Sequence, residues 1–227
     1  MKRFLMLFLL CSIGLFNANA RVIKVTTTPM EAKIYVDGQY VADGMVEHQC
    51  YTREGFIAVK VECVGYVTQE IRIPTKGTNS RHITLREDMA FTDSSLSGNA
   101  NKFFSVTVNE KLYTRNADGK IDMSLAWKMI HQVLLGYFEE IQSSDMLSGF
   151  VQTPWVYKSF PTSENQVRTR VTIKESNLGG EPTFQIKISS ELGPIGTTKS
   201  ERFRAFDRIL KQYESLINEF QARVGQN

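Results

Sequence analysis

Apolar and polar residues alternate with period two through most of the first third of the chain. Val22-Ile23-Lys24-Val25-Thr26 is β-branched and alternating. Ala32-Lys33-Ile34-Tyr35-Val36 alternates too and runs straight into Asp37-Gly38, a two-residue hairpin signal because both positions tolerate positive φ. Gln39-Tyr40-Val41-Ala42 returns, and Asp43-Gly44 turns again. Further on, Ile57, Val59, Val61 and Cys63 share one face of residues 57–67, and residues 69–73 and 82–85 add two more alternating strands. Helical period is absent here. Short strands separated by turn signals predict an all-β sandwich over residues 21–91.

Residues 92–101 (TDSSLSGNAN) are polar and small, which predicts a linker. The pattern then changes, and residues 102–227 predict an α+β domain. Residues 103–108 form a strand, and Asp122 or Ser124 caps a helix over residues 125–138. Trp127, Ile130, Leu134, Phe138 and Ile141 mark that helix's inner face at steps of three and four. Residues 148–160 are strand-like but interrupted by Pro154, which lacks a backbone donor and so indicates an edge or a bulge. Residues 166–175 alternate, with Val167, Thr169, Val171 and Ile173 on one side and Arg168, Arg170, Thr172 and Lys174 on the other. Residues 183–189 pair back after Gly179-Gly180. Phe203, Phe206, Leu210, Tyr213, Ile217, Phe220 and Val224 fall at steps of three and four. They predict an amphipathic helix of about 24 residues, roughly 36 Å long. It is expected to cover its own sheet; the alternative use of the stripe from Phe203 to Val224 is a homodimer seam. The order is β-α-β-β-β-α, an antiparallel sheet with a long C-terminal helix, which is a helix-grip-like arrangement.

The N-terminus carries an address. Lys2 and Arg3 precede an apolar run over residues 4–16, and Ala18-Asn19-Ala20 supplies a small-residue cleavage pattern. This is the layout of a secretory signal peptide over residues 1–20, cut after Ala20. The run is shorter than the roughly 20 apolar residues a membrane-spanning helix needs, so the mature chain is expected to have no membrane span. Cys11 follows the bulky Leu10 where a lipoprotein signal has a small residue, so no lipid anchor is expected there. The protein is therefore expected in the periplasm or on the cell surface. Without Lys2 and Arg3 the chain carries 25 basic and 24 acidic side chains, and no basic stripe points to nucleic acid.

The run from Thr28-Pro29-Met30-Glu31-Ala32 through Ile34-Tyr35-Val36, Asp37-Gly38 and Gln39-Tyr40-Val41 resembles the opening of a PEGA domain. Pro29-Met30-Glu31-Ala32 keeps the motif's Pro, Glu and Ala and lacks its Gly. Gly55-Phe56-Ile57, Gly65-Tyr66 and Ile83-Thr84-Leu85 are similar to later features of that family, so the resemblance covers residues 24–88. It implies a small β-sandwich of envelope or surface proteins with no chemistry of its own. Residues 142–155 within 103–224 resemble, at the level of fold, the helix-grip domains of the outer-membrane assembly lipoprotein BamC. That resemblance implies an interaction domain.

Candidate chemistry is sparse. His48, His82 and His131 do not fall at metal-ligand spacing. A Gly-x-Ser-x-Gly elbow is missing, and Gly193-Pro194-Ile195-Gly196 is followed directly by Thr197, not by the Lys-Ser/Thr of a phosphate-binding loop. The expectation is a protein with no catalytic residues, no metal and no cofactor. Cys50 and Cys63 are either free thiols or a disulfide; a tight hairpin over residues 51–61 would hold them about 13 Å apart, beyond bridging distance. Two groups remain as a candidate binding surface: Trp155 with Tyr157, an aromatic platform or part of the core, and Arg168, Arg170 and Lys174, a cationic strand face or a solvated one. Together these readings describe an exported, non-enzymatic cell-envelope or surface protein that binds an envelope protein or cell-wall polymer. The alternatives are a helix-grip pocket for a small apolar ligand or a periplasmic hydrolase.

Overall fold

The structure is a computed structural model, and it describes residues 20–51, 55–176 and 180–226. The signal-peptide reading, with Cys11 and Ala18, lies outside the described residues, as does the side chain of Ala20. The molecule is mostly β and divides into two compact units, 1–86 and 87–227, each with its own apolar core.

In the first unit the strands are β1 (Ala20–Thr28), β2 (Lys33–Val36), β3 (Gln39–Asp43), β4 (Met45–Tyr51), β5 (Phe56–Glu62), β6 (Gln69–Pro74) and β7 (Ser80–Thr84). They make two sheets, β4-β1-β7 and β3-β2-β5-β6, and β1 runs parallel to β7. The alternation is what builds the core. Ile23 and Val25 of the first sheet and Ile34, Val36, Ile57, Val59, Val61 and Ile73 of the second are all buried in one cluster. Each such side chain contributes about 1.5–3 kcal/mol of burial. β4 is a strand that the hydrophobic pattern hides, because only Val46 and Cys50 are apolar on its inner side. The expected hairpin over residues 51–61 does not form: β4 pairs with β1, whereas β5 pairs with β2 and β6. Cys50 and Cys63 are both free thiols, so no disulfide joins them. The Cys50 thiol lies buried, 3.3 Å from the Arg21 carbonyl.

The second unit begins earlier than the sequence suggests. Helix α1 (Met89–Thr92) is capped by Asp88, whose carboxylate accepts from the Ala90 N–H. Strand β8 (Ser94–Leu96) follows and pairs with a strand over 100 residues later. The segment 92–101 is therefore not a linker. Ser94 and Ala100 are buried, and Asn101 is hydrogen-bonded to Ser190 and Phe206. Its polarity serves side-chain bonding, not solvation.

Next come β9 (Phe103–Thr107), the small ribbon of β10 (Thr114–Arg115) and β11 (Ile121–Asp122), and helix α2 (Ser124–Leu135). The main sheet adds β12 (Ser143–Asp145), β13 (Phe150–Gln152), β14 (Val156–Phe160), β15 (Asn165–Glu175) and β16 (Thr183–Pro194). β13 and β14 both pair with the same edge of β15. Between them Pro154 makes a bulge: the Thr153 N–H donates to Val171, and the Thr153 hydroxyl accepts the Val171 N–H. β9 takes the far edge of β16 together with β17 (Arg204–Ala205). Val171, Ile173, Phe184, Ile186 and Ile188 face the helices and are fully buried.

The long C-terminal helix is replaced by shorter pieces. Residues 200–202 and 211–213 are single 3-10 turns, β17 and β18 (Arg208–Leu210) are strands, and only α3 (Leu216–Val224) is an α-helix. Its Leu216, Phe220 and Val224 are fully buried in the unit's own core. Residues 203–224 therefore do not form the single helix on which a homodimer seam was expected. Of the aromatic side chains in that stripe, Tyr213 and Phe220 are buried in this core, whereas Phe203 lies on the opposite face of the sheet beside Arg168.

Candidate functional site

The face of the main sheet turned away from the helices is ordered by register into four rows. Tyr157, Arg168, Glu191 and Ala205 stand side by side across β14, β15, β16 and β17. Arg170 and Ser189 make the second row, with Trp155 beside them at the bulge. Gln152, Thr172, Lys187 and Phe103 make the third, and Phe150, Lys174, Gln185 and Ser105 the fourth. Period two along β15 and β16 sends Val171, Ile173, Ile186 and Ile188 inward, so Arg168, Arg170, Lys174 and Lys187 must point out.

Arg168 and Arg170 share one aromatic neighbour. Each guanidinium carbon lies 4.3 Å from the centroid of the Trp155 ring, and Arg168 also lies 4.0 Å from the Phe203 ring. Trp155 is therefore a spacer between cations and not an open platform. Arg168 is only 4% exposed despite its outward position, because these rings and Glu191 cover it. Its Nε and Nη2 both meet one Glu191 carboxylate oxygen, at 2.7 and 2.6 Å. Charge-assisted pairing of this kind offsets the loss of water around a covered guanidinium. Phe203 gains its position from Gly193: a Cβ there would come within 2.8 Å of the ring. Tyr157 completes the group, packing edge-on to Phe203 at 6.1 Å.

Arg170 differs from Arg168 in having no acid beside it. Nη1 reaches Gln152 Oε1 at a long 3.5 Å, and Nε is buried with no hydrogen-bond partner. Lys174 and Lys187 bracket the exposed ring of Phe103 at 4.5 and 5.7 Å. Among the described residues none of these three cations has an ion-pair partner within 4.0 Å. The predicted members Trp155, Tyr157, Arg168, Arg170 and Lys174 thus all lie on one face. Phe103, Lys187, Glu191, Phe203 and Gln152 join them, and sequence reasoning missed these. Continued alternation from Gln185 through Lys187 and Ser189 to Glu191 would have revealed two of them.

Two other groups of side chains lie away from this face. On the helix side of the sheet edge, His131 Nε2 lies 2.8 Å from Ser144 Oγ, and Nδ1 lies 2.8 Å from the Trp127 carbonyl. A carbonyl only accepts, so Nδ1 carries the proton, and in the neutral ring Nε2 accepts from the serine hydroxyl. This is a serine–histidine pair without a carboxylate behind the imidazole. In the first unit a cleft of about 570 Å³ is lined by Glu31, Lys33, Glu62, Cys63, Val64 and Thr68. Burial, with the Glu31 carboxylate, pushes the Cys63 thiol above its usual range, away from the thiolate a nucleophile needs. Among the described residues no group of His, Cys, Asp and Glu is arranged to hold a metal ion, and no helix is long and apolar enough to cross a membrane. No family model matches the chain, and no curated protein matches its sequence.

Proposed function

We propose that this is an exported, non-enzymatic binding protein of the cell envelope or surface, and that its second unit engages an envelope protein or cell-wall polymer through the outer face of its main sheet. The observation that carries this reading is the pair of guanidiniums stacked on Trp155. Burying one arginine and ordering a second around an aromatic ring has a conformational cost, and the packed core on the other side of the sheet does not need it. The PEGA-like first unit acts as a spacer or second contact module, and the signal-like N-terminus supplies the route out of the cell. The test uses the full chain against envelope extract and insoluble cell-wall material, beside Arg170→Gln/Lys174→Gln/Lys187→Gln. Retention of one specific component, lost in the triple variant while circular dichroism is unchanged, is the expected result. Equal retention by both proteins would remove the sheet face from the function.

A second reading rests on Ser144 and His131, whose geometry is that of a nucleophile and its base. It ranks lower because the Trp127 carbonyl fixes the imidazole tautomer but offers no anion to stabilise an imidazolium. A fluorophosphonate probe decides it: labelling abolished by Ser144→Ala would establish a hydrolase, and no labelling would discard one.

A further inference from the structure

We infer that the ligand of the outer sheet face is an anionic polysaccharide, a polymer bearing carboxylates or phosphates among hydroxyls; this rests on the face being the binding site, as proposed above. The first argument is charge. Arg170, Lys187 and Lys174 occupy successive rows of the face, alternating between β15 and β16. Two residues of rise and one strand of lateral offset separate neighbours by about 8 Å. The acids of the face are Glu191, one row before them and paired with Arg168, and Asp145, whose carboxylate accepts from the Leu147 N–H at the sheet edge. A track of three cations is left for an external anion, on a protein whose overall charge is close to balanced.

The second argument is what lies between the cations. Gln185 and Ser105 place an amide and a hydroxyl on the face, beside Gln152 and Thr172, which are bonded to each other at 2.9 Å; this polar lining matches a hydroxyl-rich chain. Phe103 and Tyr157 are 43% and 41% exposed at opposite ends of the face. A ring flanked by ammonium groups, as Phe103 is by Lys174 and Lys187, takes a charged sugar in one step: C–H groups lie on the ring and the acid reaches a cation. An acidic peptide is the weaker fit. A strand-like peptide draws affinity from backbone hydrogen bonds at a sheet edge, and the interior of a sheet face offers none.

The probes are polygalacturonate, a teichoic-acid-type polyphosphate glycan, dextran as a neutral glycan, and poly-glutamate. The full chain carrying Trp127→Phe keeps Trp155 as its sole tryptophan, so ligand-induced quenching reports from the face itself. The expected result is quenching by one or both anionic glycans, which also tells carboxylate from phosphate, with weak or no response to dextran and poly-glutamate. Arg170→Gln should weaken binding about tenfold, as for a charge-assisted hydrogen bond. Lys174→Gln and Lys187→Gln should each weaken it about three- to fivefold, as for exposed ion pairs. Raised salt should weaken binding of the parent more than of the triple variant. Poly-glutamate or dextran binding as tightly, and lost in the triple variant, would overturn the anionic-polysaccharide assignment and leave the face as the site. Response to no probe, with partner retention from envelope extract unaffected by the triple substitution, would overturn both.

Discussion

Asn101 does with one side chain what a strand does with a backbone. Its Oδ1 accepts the Ser190 N–H at 2.9 Å, and its Nδ2 donates to the Ser190 and Phe206 carbonyls at 2.9 and 2.8 Å. It also adopts a left-handed backbone, φ 61°, which asparagine tolerates better than most residues. Asn101→Ala strands the Ser190 N–H and the Phe206 carbonyl, while the Ser190 carbonyl keeps the Phe206 N–H, and should lower stability by about 2 kcal/mol, read from urea midpoints. Asn101→Asp should be worse, since a carboxylate would face both carbonyls; an aspartate variant as stable as the parent would remove the amide from the account. Two glycines offer a second contrast. Gly38 and Gly44 both have positive φ, but a Cβ on Gly38 meets nothing, whereas one on Gly44 would sit 2.1 Å from the Met30 carbonyl oxygen. Gly38→Ala should cost about 1–2 kcal/mol, the left-handed penalty alone, and Gly44→Ala clearly more. Equal losses in thermal melts would show that the turn at Met30 shifts freely. The Asp37-Gly38 hairpin was legible in the sequence, but the close approach at Gly44, which joins strands of different sheets, was not, because Met30 meets it only through the fold.

At the scale of elements, alternation was read well and three-four spacing was not. Strands β2, β5, β9, β15 and β16 and helix α2 lie where the pattern puts them. The stripe from Phe203 to Val224 fits a helix equally well on paper, yet its first half is drawn out into strands and turns. Long-range pairing decides the matter. Arg204 and Ala205 bond to β16, Arg208 to Leu210 pair with β8, and the Arg208 guanidinium bonds to Ser94 and the Phe91 carbonyl while lying 3.8 Å from the Phe91 ring. The partners of residues 208–210 sit in the polar stretch 92–101 and its flank, where no hydrophobic period announces them. Tyr213 anchors the turn before α3, stacked on Phe138 at 5.1 Å with ring planes 9° apart. Burial pushes its hydroxyl above the ordinary phenol range. In the unfolded chain that hydroxyl ionises near pH 10, while the folded chain keeps it protonated. Its contribution is therefore complete below about pH 10 and is lost as pH rises toward the folded value. Melting temperature should fall more steeply between about pH 9 and pH 11 in the parent than in Tyr213→Phe. Parallel falls would mean that the Tyr213 hydroxyl reaches water in the native state.

For the whole molecule, the decisive question is where one cooperative unit stops and the next begins. Two apolar clusters share no residue, one drawn from residues 23–85 and the other from residues 90–224. A boundary between Arg86 and Glu87 leaves both complete. A boundary in residues 92–101, which composition suggested, would strip the second unit of Ala90, Ser94, Ala100 and the Asn101 amide, and would leave the Arg208 guanidinium without its ring and its carbonyl acceptors. Composition failed here for a physical reason: this segment is held by hydrogen bonds from serine, asparagine and arginine side chains, and a polar sequence that is bonded resembles one that is solvated. Fragments 21–86 and 87–227 should therefore each give cooperative urea transitions when expressed alone, whereas fragment 102–227 should be insoluble or melt without a sharp transition. Adding residues 87–101 back as a separate peptide should then raise the apparent melting temperature of 102–227, because whatever binds only the folded state stabilises it. Full cooperativity of 102–227 without that peptide would place the segment outside the folding unit, and would turn its buried residues into passengers on a sheet that folds without them.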